Sequence, residues 1–215
     1  MKVKKLFVFL FAATTLLAII IAARAIADAP KDSKSVAPAE MKLPPGWTES
    51  DMKACMLAGT PGKEHELLAK DIGVWHGKAT MWMYPGADPL SAPCTYTVTS
   101  LMDGRYFKGE FACEMPGMGP FNGLAIRGFD NQSHKFVSTW IDNHSTEIIS
   151  GSGALSASGK TLTWSFTYTC PVTSKPTALR HVETATGANS KTLEIFGTEP
   201  KSGKDFQMMK IEYTR

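Results

Sequence analysis

The chain has 215 residues, 43% of them hydrophobic and 20% charged. That balance belongs to a globular protein and excludes a disordered, collagen-like or polytopic membrane chain. The formal charge of +3 is local, because Lys2, Lys4, Lys5 and Arg24 fall in the first 27 residues, which hold no carboxylate; the remainder carries 19 Lys+Arg against 20 Asp+Glu. A near-neutral body lacks the basic footprint of a nucleic-acid or acidic-membrane binder.

Residues 1–27 open with lysines, continue through an apolar run from Leu6 to Ala23 and end in Ala25-Ile26-Ala27. This is the pattern of a secretory leader, with cleavage expected between Ala27 and Asp28. The alternative is an uncleaved anchor, since the 18-residue run is just long enough to span a bilayer. A periplasmic or secreted location is expected, with no membrane span after cleavage. Residues 28–46 are rich in Pro, Ala, Ser and charge and read as a disordered linker. Residues 47–215 are expected to form one domain.

Two short helices are expected first. One covers 48–58, capped by Thr48 or Ser50 and stopped by Gly59; the other covers 63–72, between Pro61-Gly62 and Gly73. From Trp75 onward the helical period disappears. Ten strands are expected, at 75–83, 94–101, 106–114, 121–129, 135–142, 146–154, 161–169, 177–185, 191–198 and 205–214. Turn signals separate them, among them Pro85-Gly86, Asp103-Gly104, Asp130-Asn131, Ser158-Gly159 and Ser202-Gly203. The alternation is clearest where Leu162, Trp164, Phe166 and Tyr168 interleave with Thr and Ser. Every connector is too short for a crossover helix, so the sheet is expected to be antiparallel. The fold class is therefore all-β: an up-and-down meander of about ten strands closed into a lipocalin- or fatty-acid-binding-protein-like barrel, behind one or two short helices. Ten strands leave room inside for a small ligand.

The four cysteines, Cys55, Cys94, Cys113 and Cys170, include no C-x-x-C pair. In an oxidising compartment the even count points to two disulfides. Cys94 and Cys113 are centred on the Asp103-Gly104 turn and would face each other across a hairpin. Cys55 is then left for Cys170.

Along 61–215 a set of residues is familiar in order: Pro61-Gly62, His65, Leu67-Leu68, Gly73, Trp75, Met81-Trp82, Pro85-Gly86, Gly104-Arg105-Tyr106, Pro120-Phe121 and Gly123. It continues with Gly128-Phe129-Asp130-Asn131, Val137, Thr139-Trp140-Ile141-Asp142, Gly151 or Gly153, Arg180-His181-Val182, Met209 and Ile211 to Arg215. This series resembles the bacterial domain-of-unknown-function family 1579, a group of mostly exported proteins. Phe129 departs from the Tyr more usual there, and the cysteines are not part of the pattern. The family has no assigned activity, so the resemblance implies no catalytic residues. Gly73-Val74-Trp75 is also similar to the Gly-x-Trp signature of lipocalins, whose last strand carries a basic residue over that Trp; Arg215 or Lys210 would take the part here.

No nucleophile elbow or phosphate loop is present. Among His65, His76, His134, His144 and His181, only His144-x-x-Glu147 has ligand-like spacing, and it falls at a turn, so no metal is expected. Met115-x-x-Met118 lacks a third soft ligand. No cofactor is implied. Carboxylates for acid–base work could come from Glu110, Asp142, Glu183 and Glu194. By period two, Phe136, Ser138, Trp140 and Asp142 share one strand face; Tyr106, Lys108, Glu110 and Ala112 share another; Arg180, Val182 and Thr184 a third. If these faces point inward, Trp82, Tyr106, Glu110, Trp140, Asp142 and Arg180 line a pocket for a small hydrophobic or amphipathic ligand, with Arg180 free to clasp a carboxylate. Three functions compete: a ligand-binding barrel, a barrel enzyme using Asp142 or Glu110 as base, and a non-catalytic envelope scaffold. Charges on both strand faces argue against an outer-membrane barrel.

Overall fold

A computed structural model describes residues 43–215. The leader expected over 1–27 and nearly all of the linker expected over 28–46 lie outside the described residues. Trp47–Arg215 forms one unit, and no helix among the described residues is long and apolar enough to cross a membrane.

Ten antiparallel strands close into a barrel: β1 (Gly73–Met81), β2 (Leu90–Leu101), β3 (Tyr106–Met115), β4 (Gly119–Asp130), β5 (Lys135–Asp142), β6 (Ile149–Leu155), β7 (Thr161–Cys170), β8 (Lys175–Gly187), β9 (Ser190–Thr198) and β10 (Asp205–Thr214). Each strand pairs with its sequence neighbour, and β10 returns to β1 through pairs such as Gly77–Tyr213 and Ala79–Ile211. Closure leaves no sheet edge to template aggregation. The β2–β3 turn shows why the alternation stays in phase. Met102, Asp103 and Gly104 all take positive φ, 50°, 56° and 82°, in a four-residue connection centred on Asp103-Gly104 that joins Leu101 to Tyr106. The resulting register places Cys94 opposite Cys113 and Tyr96 opposite Phe111.

Two helices sit at one end: α1 (Glu49–Ala58) and α2 (Lys63–Ala69). Thr48 and Asp51 form a reciprocal cap on α1. This helix buries no side chain of its own. It is held instead through its orphan C-terminal carbonyls: Asn131 Nδ2 donates toward the oxygens of Leu57, Ala58 and Thr60, and Arg105 Nε donates to Gly59 O at 2.9 Å. α2 buries His65 and Leu68, with His65 edge-on to Phe129.

The inward set alternates along the strands, apart from a bulge in β10, and builds one core, including Trp75, Tyr96, Phe107, Phe111, Phe136, Trp164, Phe166, Ile211 and Tyr213. Two inward glycines make room for large rings. A Cβ on Gly109 would collide with the Tyr96 ring, and one on Gly123 with the Trp140 indole. Large and small residues thus interlock across neighbouring strands.

The disulfide expectation is corrected: Cys55, Cys94, Cys113 and Cys170 are all free thiols. Cys94 and Cys113 do face each other in register, but their sulfurs point apart. Cys113 Sγ turns along its own strand to Met115 Sδ, 3.3 Å away, while Cys94 Sγ lies over Gly77 beside Tyr213. Cys55 is in α1 at the helical end, whereas Cys170 ends β7 at the opposite rim. Burial pushes the Cys94 thiol up to about 12, with Cys113 adding to the effect, so it stays protonated and unreactive near neutral pH.

Candidate functional site: an apolar cavity above a buried charge cluster

The barrel interior holds a cavity of about 440 Å³, inside the range of roughly 300–1,000 Å³ usual for small-molecule sites. Its walls are Phe111, Trp140, Phe166, Leu179, Ile195 and Ile211. It opens at the end away from the helices, where Trp82, Met83, Met118, Phe121 and Met208 form the rim. Met208 reaches inside because a bulge between Gln207 and Met209 shifts the β10 register, so that Met208 and Met209 both line the cavity. A rim rich in Met is soft and adaptable.

The floor is charged. Arg127 from β4 meets Glu183 from β8, with Nη2–Oε1 at 2.7 Å and Nη1–Oε2 at 3.0 Å. The guanidinium also stands 5.2 Å from the Trp164 ring and 5.7 Å from the Tyr96 ring. Lys191 from β9 pairs with Asp71 at 2.6 Å and lies 4.6 Å from the Trp75 ring centre. Each buried cation thus has a carboxylate and aromatic faces in place of water. Trp75 is held from three sides: Lys191 packs over it, Arg215 lies 4.3 Å above its ring, and its Nε1 donates to Asp71 O at 2.8 Å. Of the two basic residues expected over this Trp, Arg215 takes the place; Lys210 faces outward and pairs with Glu212.

Burial pushes the Glu183 carboxyl upward, but Arg127 and Lys191 outweigh it and hold the group below its ordinary range. Burial also drives His181 down to about 4, helped by Arg127 and opposed by Glu183, so this histidine is neutral near pH 7. Its ring lies 4.7 Å from Phe166.

Of the six residues expected to line the pocket, the structure brings three together: Trp82, Trp140 and Asp142. Trp140 Nε1 donates to Asp142 Oδ2 at 2.8 Å, and the His144 amide donates to Oδ1 at 2.9 Å. The other three are corrected to the outer wall. Tyr106 covers Gly128 outside. Glu110 pairs with Lys108 at 2.9 Å. Arg180 lies exposed over the Phe196 ring at 4.1 Å and has no reach to a ligand inside. Their parity is set by neighbours: Phe107, Phe111, Leu179 and His181 take the interior, so the residues between them cannot. Glu110 and Asp142 therefore stand on opposite faces, and Glu194 accepts a hydrogen bond from Gln207 on the outer side. Arg127, His181 and Lys191 were not identified as pocket residues from sequence. The signal was available for Arg127, which falls in phase with Phe121, Gly123, Ala125 and Phe129.

The model of the family described as "Protein of unknown function (DUF1579)" matches residues 60–215. The chain belongs to this family. The solved structures similar to this DUF1579 protein include Rv2717c from M. tuberculosis, at TM-score 0.56 and 12% identity, over 73% of this chain and 99% of that one. Another is the S-type phycobiliprotein lyase CPES from Guillardia theta, at TM-score 0.49 and 6% identity, over 74% and 96%. At such identities the likeness to Rv2717c is one of fold. No curated protein matches the chain. Several residues that carry the DUF1579 resemblance build the closed end: Trp75 as the clamped floor, Arg105 and Asn131 as the ties to α1, and His65 against Phe129.

Proposed function

We propose that this DUF1579 protein is a binding protein for a small apolar or amphipathic molecule held inside the barrel. One observation carries the reading: an apolar cavity of about 440 Å³ reaches from an open rim to a polar floor. A barrel that served only as a scaffold would gain stability by filling that space, since voids cost contacts. Here Gly123 yields space to Trp140, yet the room beyond the rings stays open. Pairing of Arg127 with Glu183 and of Lys191 with Asp71 leaves the floor cations occupied, which favours binding over acid–base chemistry. Export belongs to the same reading and rests on the leader pattern of residues 1–27.

Native mass spectrometry of the full-length gene product purified from its own host tests the proposal. The expected result is a stoichiometric small molecule released on denaturation. An unliganded mass, together with Trp fluorescence that ignores added apolar probes, would overturn it. The mass of the processed chain reports in the same spectrum whether residues 1–27 have been removed.

A further inference from the structure

One carboxylate of the cavity is left without a cation. Asp142 ends β5 at the open end, lines the cavity there and is partly exposed. Its two oxygens accept from neutral donors only, Trp140 Nε1 at 2.8 Å and the His144 amide at 2.9 Å. No Lys, Arg or His side-chain nitrogen among the described residues lies within ion-pair distance of it. The His144 ring is turned instead to Phe121 and to Pro120 O. The cations of the floor are spent, Arg127 on Glu183 and Lys191 on Asp71. Strand register also keeps Arg127 away: Asp142 pairs with Gly123, and Arg127 with Ser138, which separates the two backbones by about 13 Å along the strands.

The barrel interior therefore sets two cations, Arg127 and Lys191, against three carboxylates, Asp71, Glu183 and Asp142. The surplus negative charge sits at the mouth, where an entering molecule meets it first and where apolar walls focus its field. A carboxylate has about four acceptor sites, so the two neutral donors leave Asp142 room for another. Aromatic rings surround it. Phe121 and Trp140 lie nearly parallel, 6.4 Å apart, and Phe111 stands within 6.5 Å of both. Ring faces and a carboxylate attract the same partner, an organic cation. A ligand carboxylate would be set beside a like charge. A ligand without charge would leave Asp142 to water.

We infer that the ligand is an amphipathic amine, its protonated nitrogen held at the mouth by Asp142 beside the Trp140 and Phe121 rings, its apolar body filling the cavity below. The inference rests on the binding reading above and narrows it. It also reverses the charge of the ligand expected from sequence, a carboxylate clasped by Arg180.

The test titrates the full chain at pH 7 with decylamine, decanol and decanoate, which share one tail and differ in the charge of the head. Binding is followed by the fluorescence of the Trp residues, two of which, Trp82 and Trp140, line the cavity. Decylamine is expected to bind about tenfold more tightly than decanol, the value of one charge-assisted hydrogen bond, and decanoate more weakly than decanol. Raising the salt from about 20 mM to about 500 mM should shrink the preference for the amine, because the pair is near solvent. Asp142→Asn should bring the ratio of amine to decanol affinity close to one, and Asp142→Glu, which keeps the charge, should retain a preference for the amine. A carboxylate that only orients Trp140 and the β5–β6 connection would leave that ratio unchanged. The ranking and its salt dependence are read on the natural chain and stand without either variant. If decanol or decanoate binds as tightly as decylamine, or if Asp142→Asn keeps the full preference, the inference is wrong and the binding reading survives. If none of the three binds, the binding reading falls and takes the inference with it.

Discussion

The two ends of the barrel solve opposite problems with the same strands. At the closed end, α2, Trp75 and Arg215 seal the interior, and the buried cations are matched: Lys191 with Asp71, Arg127 with Glu183. The open end is lined by Met83, Met118, Met208 and Phe121, with no charge pair among them. The closed end is held by directional contacts, each depending on a specific partner. The methionine side chains of the rim pack by dispersion, which tolerates exchange of side chains and of occupants. Directional contacts are thus concentrated at the closed end, and access at the open end.

Breaking the closed end should cost most. Glu183→Leu leaves Arg127 buried without its partner and should destabilise the protein by about 3–5 kcal/mol in urea unfolding. Adding Arg127→Met to that variant should restore much of the loss, because two apolar residues in place of a buried pair are often neutral or better. If the double variant is as unstable as the single one, the pair is more than a charge match. Midway up the wall, Gly123→Val drives a side chain into the Trp140 ring. It should cost about 1–3 kcal/mol and lower ligand affinity, which separates wall packing from floor chemistry.

Acid should act on the floor before the rim. His181 is neutral in the fold with its pKa down at about 4, against an ordinary 6.5. Between those values the unfolded chain binds the extra proton and the folded one does not. Stability is therefore full above about pH 6.5 and falls by up to about 1.4 kcal/mol per pH unit toward pH 4. Glu183, held below its ordinary range, adds a further loss when it protonates at lower pH still. Unfolding free energy measured across this window should show the slope, and His181→Phe should flatten its upper part. At the rim, Met118→Ala should shift stability by no more than about 0.5 kcal/mol and act mainly on ligand affinity. A large stability loss there would show that the rim is as constrained as the floor.

Much of this was legible in the residues. Thr48 and Gly59 bound the first helix as expected, and Asp103-Gly104 set the β2–β3 register with Cys94 opposite Cys113. The pocket was only half legible. Trp140 and Asp142 share their parity with the buried Phe136 and Ser138, and that face turns inward while Ile141 is left exposed outside. Strand β8 carries Leu179, His181 and Glu183 on one face and Arg180, Val182 and Thr184 on the other, and nothing local ranks those faces.

Strands, turns and neighbouring pairs could be read along the chain, because alternation and turn chemistry act over a few residues. Which face of each strand turns inward, and which charges meet, was set by the folded barrel. Arg127 and Glu183 are 56 residues apart, and Lys191 and Asp71 are 120 apart. Pairing at that distance follows from barrel closure and from the desolvation cost that forces each buried charge to find a partner, and neither leaves a periodic trace in the chain.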